Sequence, residues 1–382
     1  MSEVRSTVAM NIRRLRAAKG LSEIAVAGAA GLSRAGYRNL EGGTGEPRSA
    51  TLVRVAKALG AMPTDLLRPA APLPRARFRS LKRMKAREQL LVDVGRRLAD
   101  YQQLEAALDA NDPYAFATYP EPPASGGPAA VAAAGEIRKL LGLGAKEPIR
   151  DICGLLEGAG IKFLRTGVAS NDFFGLSVAA GDGGPAIVVN TWQRISVERW
   201  IFTAAHELGH LVLHREDFDP DENLESKDKE AEANLFAAHF LMPEGAFFAE
   251  WNDTAGLALF DRVLKVKRIF RVSYRTVLYR LQEHGTVDVW KKFQVQAKSR
   301  WGRTLLRDDE REALAADAFR ASSPESSRAR EPQNLVEADF MDDRLHRLVR
   351  TAVERDHISL SRAGEILDKS FAEMRQLAAA WV

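Results

Sequence analysis

The sequence predicts a multidomain protein: an all-α bundle at the N-terminus, an α+β domain with a small sheet, and a small helical module at the C-terminus. Three observations support this prediction. The chain has 382 residues, more than one hydrophobic core usually serves. Its two ends show helical periodicity, whereas the middle alternates helix-like and strand-like runs. Stretches rich in Pro, Gly or polar residues, 111–130 and 320–334, separate these parts.

The composition predicts a folded protein of the cytoplasm. Hydrophobic residues make up 46% of the chain, which is enough for real cores. The single cysteine, Cys153, excludes an internal disulfide, favours a reducing compartment, and is expected to be a buried apolar side chain. The first residues lack the apolar region of a signal peptide, and no apolar run approaches the ~18 residues of a membrane span.

Positive charge is concentrated at the N-terminal end. Residues 1–88 hold 18 Lys and Arg against 6 Asp and Glu, a net charge of +12. The whole chain carries +4, so the remainder carries −8. A small basic module of this kind favours a polyanion partner such as DNA, with a solvated charged face as the alternative.

Residues 8–68 are predicted to form a bundle of short helices. Three serines precede helix-like runs, as N-cap residues would: Ser22, Ser33 and Ser49. Four glycines fall where helices should end: Gly20, Gly31, Gly42 and Gly60. Apolar residues recur at helical spacing: Val8, Ile12, Leu15, Leu52, Val55, Ala56 and Leu59. The segment 75–108, basic at first and then amphipathic, is predicted to be one long helix.

The rest of the chain mixes both kinds of element. Strands are predicted at 161–164 and 186–190. Helices are predicted over 136–143, 151–160, 197–214 and 226–242. The C-terminal segment 335–382 is predicted to contain a helical hairpin that serves packing or dimerisation. The predicted divisions of the chain are 1–70, 71–130, 131–290, 291–334 and 335–382, of which the second and fourth are connecting segments.

The stretch HELGH (206–210) predicts a metal site. On a helix, His206, Glu207 and His210 lie within a ~100° arc and can point into one cleft. Two imidazoles one turn apart can bind one zinc ion, which leaves Glu207 free to take a proton from water. Gly209 is expected to keep the approach to the metal uncrowded. The opposite face should be buried, because it is apolar: Ile201, Ala204, Ala205, Leu208, Leu211 and Val212.

A catalytic zinc site needs a third protein ligand and an open fourth position. The helix-like run 229–243 supplies two candidates, Glu230 and Glu232. Glu230 is preferred, because Asn234 follows it one turn later and is placed to hydrogen-bond a ligand. Glu232 is the fallback.

Two further histidines, His214 and His239, are candidate ligands. His214 is expected to cap or support the site, since a fourth protein ligand would leave no place for water. His239 is expected to be incidental. The His–His–Glu set suits Zn²⁺, and it also suits Mn²⁺ and Fe²⁺.

Three segments in this region resemble the ImmA/IrrE family of bacterial metallopeptidases: FTAAHELGHLVLH (202–214), EAEANLFAAHFLMP (230–243) and VSYRTVLYRLQEHG (272–285). The resemblance covers roughly residues 131–290. It implies a zincin-like α+β fold and a zinc peptidase that cuts a transcriptional repressor after stress or a phage-related signal. It makes Glu207 the catalytic base, and the metal ligands would be His206, His210 and Glu230. It also places AIVVN (186–190) at a sheet edge that can bind a substrate strand.

Residues 10–67 resemble the lambda-repressor-like, or XRE, helix-turn-helix family. By that resemblance helix 22–30 lies across the DNA backbone and helix 33–41 enters the major groove. The candidate contacts on the second helix are Arg34, Tyr37, Arg38 and Asn39, with Arg suited to guanine, Asn to adenine and Tyr to phosphate. DNA readers of this type often act as homodimers.

Two positions depart from that family. Glu23 stands where the family usually has Gln, and a carboxylate there repels phosphate. Gly36 lies within the second helix, where glycine costs roughly 1 kcal/mol relative to alanine. These departures leave protein docking as an alternative to specific DNA binding.

The sequence thus supports two principal hypotheses. In the first, a cytoplasmic stress- or phage-responsive regulator joins a DNA-binding module to a zinc peptidase that cleaves another regulator or a partner protein. In the second, the metal domain of a transcription factor senses a metal or ligand without cutting.

Overall fold

The computed structural model describes residues 3–45, 48–67, 76–78, 87–120, 126–170, 173–215, 226–301 and 335–381. The chain divides into two units, Met1–Pro74 with Ser80–Asp100, and Arg75–Arg79 with Tyr101–Val382. The predicted polar linker 320–334 lies outside the described residues. In the part of the chain that is described, no helix is long and apolar enough to cross a membrane.

The first unit begins with short helices, as predicted: α1 (Glu3–Ala18), α2 (Glu23–Ala29), α3 (Arg34–Glu41), α4 (Ser49–Ala58) and α5 (Pro63–Leu67). The hydroxyls of Ser22 and Ser33 cap α2 and α3. At Ser49 the prediction is wrong, because Arg48 occupies the cap position of α4 and Ser49 is already helical. The predicted apolar positions are all buried and form the core of this unit.

The prediction of one long helix over residues 75–108 is wrong. Ala76–Phe78 is a strand, β1, and the helix α6 extends from Arg87 to Leu108. β1 pairs with a strand that is distant in sequence. Such pairing outweighs the local helix preference, because helix propensities of ordinary residues differ from one another by less than about 1 kcal/mol per residue.

Three further strands complete a four-stranded sheet in the second unit: β2 (Lys162–Thr166), β3 (Gly175–Val178) and β4 (Ala186–Asn190). The strand order is β1-β3-β4-β2, with β3 antiparallel to both of its neighbours and β4 parallel to β2. The expectation that AIVVN (186–190) is an edge strand is therefore wrong. All five residues of β4 are buried, as their continuous apolar run requires of an inner strand.

Helices make up most of the second unit: α7 (Gly127–Leu140), α8 (Ile152–Gly158), α9 (Val197–Leu213), α10 (Lys227–Leu241), α11 (Glu244–Asp253), α12 (Leu259–Phe270), α13 (Tyr274–Glu283) and α14 (Val289–Trp301). α7 begins inside the stretch predicted to be a linker. α9 packs against β3, β4 and α10. One core joins α9 to the sheet, with Trp200, Phe163 and Ile187 among its buried members.

The C-terminal segment forms three helices where the sequence predicted a hairpin: α15 (Arg344–Glu354), α16 (Leu360–Ile366) and α17 (Phe371–Ala379). Its first helix is anchored through Arg344, whose Nη1 lies 2.6 Å from Glu105 Oε1. The N–H of Arg344 donates to the carboxylate of Glu157 at 3.2 Å. With these helices, the predicted multidomain class, all-α followed by α+β, is confirmed.

Candidate functional site

Helix α9, which carries the HELGH motif, is fixed at its N-terminus by buried polar contacts. Ser196 Oγ caps the helix by accepting a hydrogen bond from the N–H of Arg199 at 3.3 Å. Glu198 Oε1 accepts from Lys267 Nζ and from the N–H of Leu335, each at 2.9 Å. The predicted apolar face of the helix is buried in full. These contacts set the rotation of α9, and with it the direction of the side chains on its other face.

Three donor atoms converge between α9 and α10. The Nε2 atoms of His206 and His210 are 3.0 Å apart, and the carboxylate oxygens of Glu230 lie 3.4 Å and 3.2 Å from them. Bonds of about 2.0–2.2 Å at tetrahedral angles would separate ligand atoms by about 3.3–3.6 Å. The observed separations of 3.0, 3.2 and 3.4 Å lie within or slightly below this range, so a small outward shift of the side chains would let the three atoms hold one divalent ion. Among all His, Cys, Asp and Glu side chains of the described residues, these three form the group that could hold a metal ion.

The outer nitrogens of both imidazoles also have partners. His206 Nδ1 lies 3.1 Å from Asn234 Oδ1, as the sequence suggested for that asparagine. His210 Nδ1 lies 3.0 Å from His214 Nδ1, and His214 Nε2 lies 3.0 Å from Glu232 Oε2. The amide oxygen of Asn234 and the carboxylate of Glu232 can only accept, so the network favours a proton on Nδ1 of both His206 and His210. Nε2 is then the nitrogen of each ring that faces Glu230, and it binds a metal once any proton on it is displaced.

Glu232, the fallback ligand, and His214 therefore support the site and are not part of the three-atom group. Glu232 turns its carboxylate to His214 and also accepts a hydrogen bond from the N–H of Gly126 at 2.7 Å. His214 has both ring nitrogens engaged outside the three-atom group. This arrangement leaves the remaining tetrahedral position of an ion free of protein ligands from these two residues.

Burial and hydrogen bonding compete at the carboxylate of Glu230. Burial alone would raise its pKa, but hydrogen bonds with His206 and His210 hold the pKa well below its usual range. The carboxylate is therefore ionised, which is the state that a metal ligand requires.

Glu207 is buried and stands outside the three-atom group. Strand β3 passes close to it, since a Cβ added to Gly175 would lie 3.3 Å from Glu207 Oε1 and 2.5 Å from Thr203 Cγ2. Any larger residue at Gly175 would push β3 away from α9. Gly175 and Thr203 could not be identified from the sequence, because a lone glycine at the start of a strand does not reveal which helix crosses it.

The expectation about Gly209 is wrong. Gly209 faces α10 instead of the metal, and a Cβ there would lie 3.1 Å from Phe236 Cδ1. Its role is to let two helices approach closely. His239 lies outside the three-atom group, as expected, and its Nε2 lies 2.7 Å from Arg280 Nη1 and 3.6 Å from the carboxylate of Glu283.

On helix α3 of the first unit, three of the four candidate DNA contacts are exposed: Arg34, Arg38 and Asn39. The prediction is wrong for Tyr37, whose side chain is 0% exposed and packs in the core with Leu40. Tyr37 falls on the inward face of the helix, so it cannot reach a phosphate from the folded unit.

The two departures from the family pattern have local compensation. Glu23 Oε2 lies 3.9 Å from Arg38 Nε, so the carboxylate faces a positive charge. Gly36 is the third residue of α3, and its N–H donates to Ser33 Oγ at 3.1 Å. A glycine in this capped first turn costs less than one in the helix interior.

Comparison with known families agrees with this arrangement. Residues 157–282 match a peptidase family described as the IrrE N-terminal-like domain, and residues 8–70 match a helix-turn-helix domain. No curated protein matches the chain. The chain therefore carries a helix-turn-helix domain followed by an IrrE-like domain, as both resemblances in its sequence predicted. This is the architecture of a regulator with a protease-like domain.

Proposed function

We propose that the second unit is a zinc-dependent endopeptidase and that the first unit binds DNA. The substrate of this endopeptidase is another transcriptional regulator or a partner protein, which is cut in response to stress or a phage-related signal. The observation that carries this proposal is the convergence of His206, His210 and Glu230 beside a buried glutamate that is not a ligand. A purely structural metal site has no need of Glu207.

The donor set fits Zn²⁺, and it would also hold Mn²⁺ or Fe²⁺. The bound ion would supply a Lewis acid for the peptide carbonyl and for water. Glu207 takes a proton from the attacking water and delivers it to the leaving nitrogen. Asn234 and His214 keep the ligand imidazoles in the required tautomer and orientation.

Replacing the proposed base tests this function. Glu207→Gln should retain zinc and lower cleavage of a proteome-derived peptide library by about 10²–10⁴-fold, the usual contribution of a general base. Glu244→Gln, an exposed glutamate on α11, is the matched control and should cleave like the wild type. Equal cleavage by Glu207→Gln and wild type would contradict the assignment. A zinc-loaded wild type that cleaves nothing would favour a metal or ligand sensor.

For the first unit, we propose that Arg34, Arg38 and Asn39 contact DNA from the exposed face of α3. Arginine suits guanine or phosphate, and asparagine suits adenine. Selection from a random duplex library should yield one enriched sequence whose binding weakens steeply with salt. Absence of enrichment together with a flat salt dependence would favour the protein-docking alternative.

A further inference from the structure

The outer edge of β3 is occupied by β1, a strand of the same chain. β1 is only three residues long, and it pairs antiparallel with β3 in the register Ala76 with Val178, Arg77 with Ser177 and Phe78 with Leu176. It comes from the segment that follows the helix-turn-helix domain in sequence. A short extended segment that adds itself to a sheet edge is the usual form of peptide recognition by strand addition.

The direction of β1 relates it to the candidate metal site. From Ala76 to Phe78 the strand advances from Val178 to Leu176, and the next residue of β3 in that direction is Gly175. Gly175 is the position at which β3 closely approaches Glu207. The chain in β1 is therefore laid along β3 with its C-terminal end directed towards the proposed catalytic base.

We propose that the segment containing β1 is a substrate of the peptidase site in the same chain. This inference rests on the proposed peptidase function. Hydrolysis at or just after Phe78 would separate the helix-turn-helix domain from the IrrE-like domain. The substrate class is then an extended segment bound antiparallel to β3, and any other protein substrate must first take the place of β1.

The reaction is a hydrolysis and needs water as its only co-reactant. The oxygen of water forms a new bond to the acyl carbon, and the C–N bond breaks. Glu207 takes one proton from the water and passes it to the departing nitrogen. The products are a new carboxylate on the N-terminal fragment and a new amine on the C-terminal fragment, with no oxidation or reduction.

Docking of β1 is tested without reference to catalysis. In an antiparallel pair, hydrogen-bonded residues alternate along the strand, so a double substitution at two adjacent positions must remove one ladder N–H. Arg77→Pro/Phe78→Pro should therefore release β1, whereas Arg77→Val/Phe78→Val loses the same side chains and keeps every N–H. Amide hydrogen exchange in Gly175–Val178 should be at least about tenfold faster in the double-proline variant than in the other two proteins. Equal exchange in all three proteins would overturn the inference.

Cleavage is then measured on the zinc-loaded full chain by intact mass. The wild type and the double-valine variant should yield an N-terminal fragment that ends at or just after Phe78, at a rate independent of protein concentration. Glu207→Gln and the double-proline variant should remain intact. Cleavage of the double-proline variant at the wild-type rate would overturn the proposal.

A proteome-derived peptide library separates failure of this inference from failure of the proposed function. If the wild type cleaves library peptides and stays intact itself, the peptidase assignment holds and self-processing is refuted. If the wild type cleaves neither the library peptides nor itself, the peptidase assignment and self-processing are both refuted. Hydrogen exchange still decides whether β1 occupies the edge of β3.

Discussion

Helix α9 and helix α3 both carry a recognisable motif, and the structure treats the two motifs differently. On α9 the motif residues His206, Glu207 and His210 are all buried, and the two histidines contact partners on α10. On α3 the candidate DNA contacts divide, with Arg34 exposed and Tyr37 buried. A metal site is defined by spacing within a helix, whereas a DNA-reading surface depends on which way that helix faces.

The largest expected effect tests the anchoring of α9. Lys267→Ala leaves Glu198 buried beside the N–H of Leu335 without its cation. Removing one partner of a buried ion pair typically costs about 3–5 kcal/mol. Chemical denaturation should show a loss of this size in the free energy of unfolding. Arg347→Ala, which removes an exposed ion pair on α15, should change it by less than about 1 kcal/mol. Similar losses for both variants would refute a special role for the buried pair.

The next effect concerns the partner of a proposed ligand. Asn234→Ala removes the acceptor beside His206 Nδ1, so the imidazole loses its fixed orientation and tautomer. Zinc affinity should fall about 10–100-fold, measured by competition with a chelator. Asn252→Ala, an exposed asparagine on α11, serves as the control. Unchanged affinity in Asn234→Ala would show that the contact does not orient the ligand.

On α3, a smaller effect should come from one exposed arginine. Arg34→Ala should weaken DNA binding and, if Arg34 contacts phosphate, reduce the slope of log affinity against log salt by about 1. Fluorescence anisotropy at several salt concentrations measures both. A base contact would instead lower affinity for the preferred sequence alone. No change in either quantity would remove α3 as the DNA-reading helix.

The smallest effect belongs to Tyr37. Because its side chain is in the core, Tyr37→Phe should leave DNA affinity unchanged and alter the free energy of unfolding by no more than about 1 kcal/mol. A marked loss of DNA affinity without loss of stability would mean that the hydroxyl reaches the nucleic acid after all.

Much of this could be predicted from sequence, because it depends on local spacing. The apolar face of α9, the caps at Ser22 and Ser33, and the core positions of the first unit all follow from periodicity. Strand neighbours could not be predicted this way. The inner place of β4 and the pairing of β1 with β3 depend on contacts between distant segments. Gly175 and Gly209 were missed or misassigned for the same reason, since each is required by a neighbour that the local sequence does not name.

The most direct test of the metal assignment is the zinc content of the purified, untagged protein by elemental analysis. The wild type should contain about one zinc per chain, and His206→Ala and Glu230→Ala should lose it while remaining folded by circular dichroism. His239→Ala, which alters a histidine outside the group, should retain it. A folded wild type that takes up no zinc, or a Glu230→Ala variant that binds it as tightly as the wild type, would contradict the account.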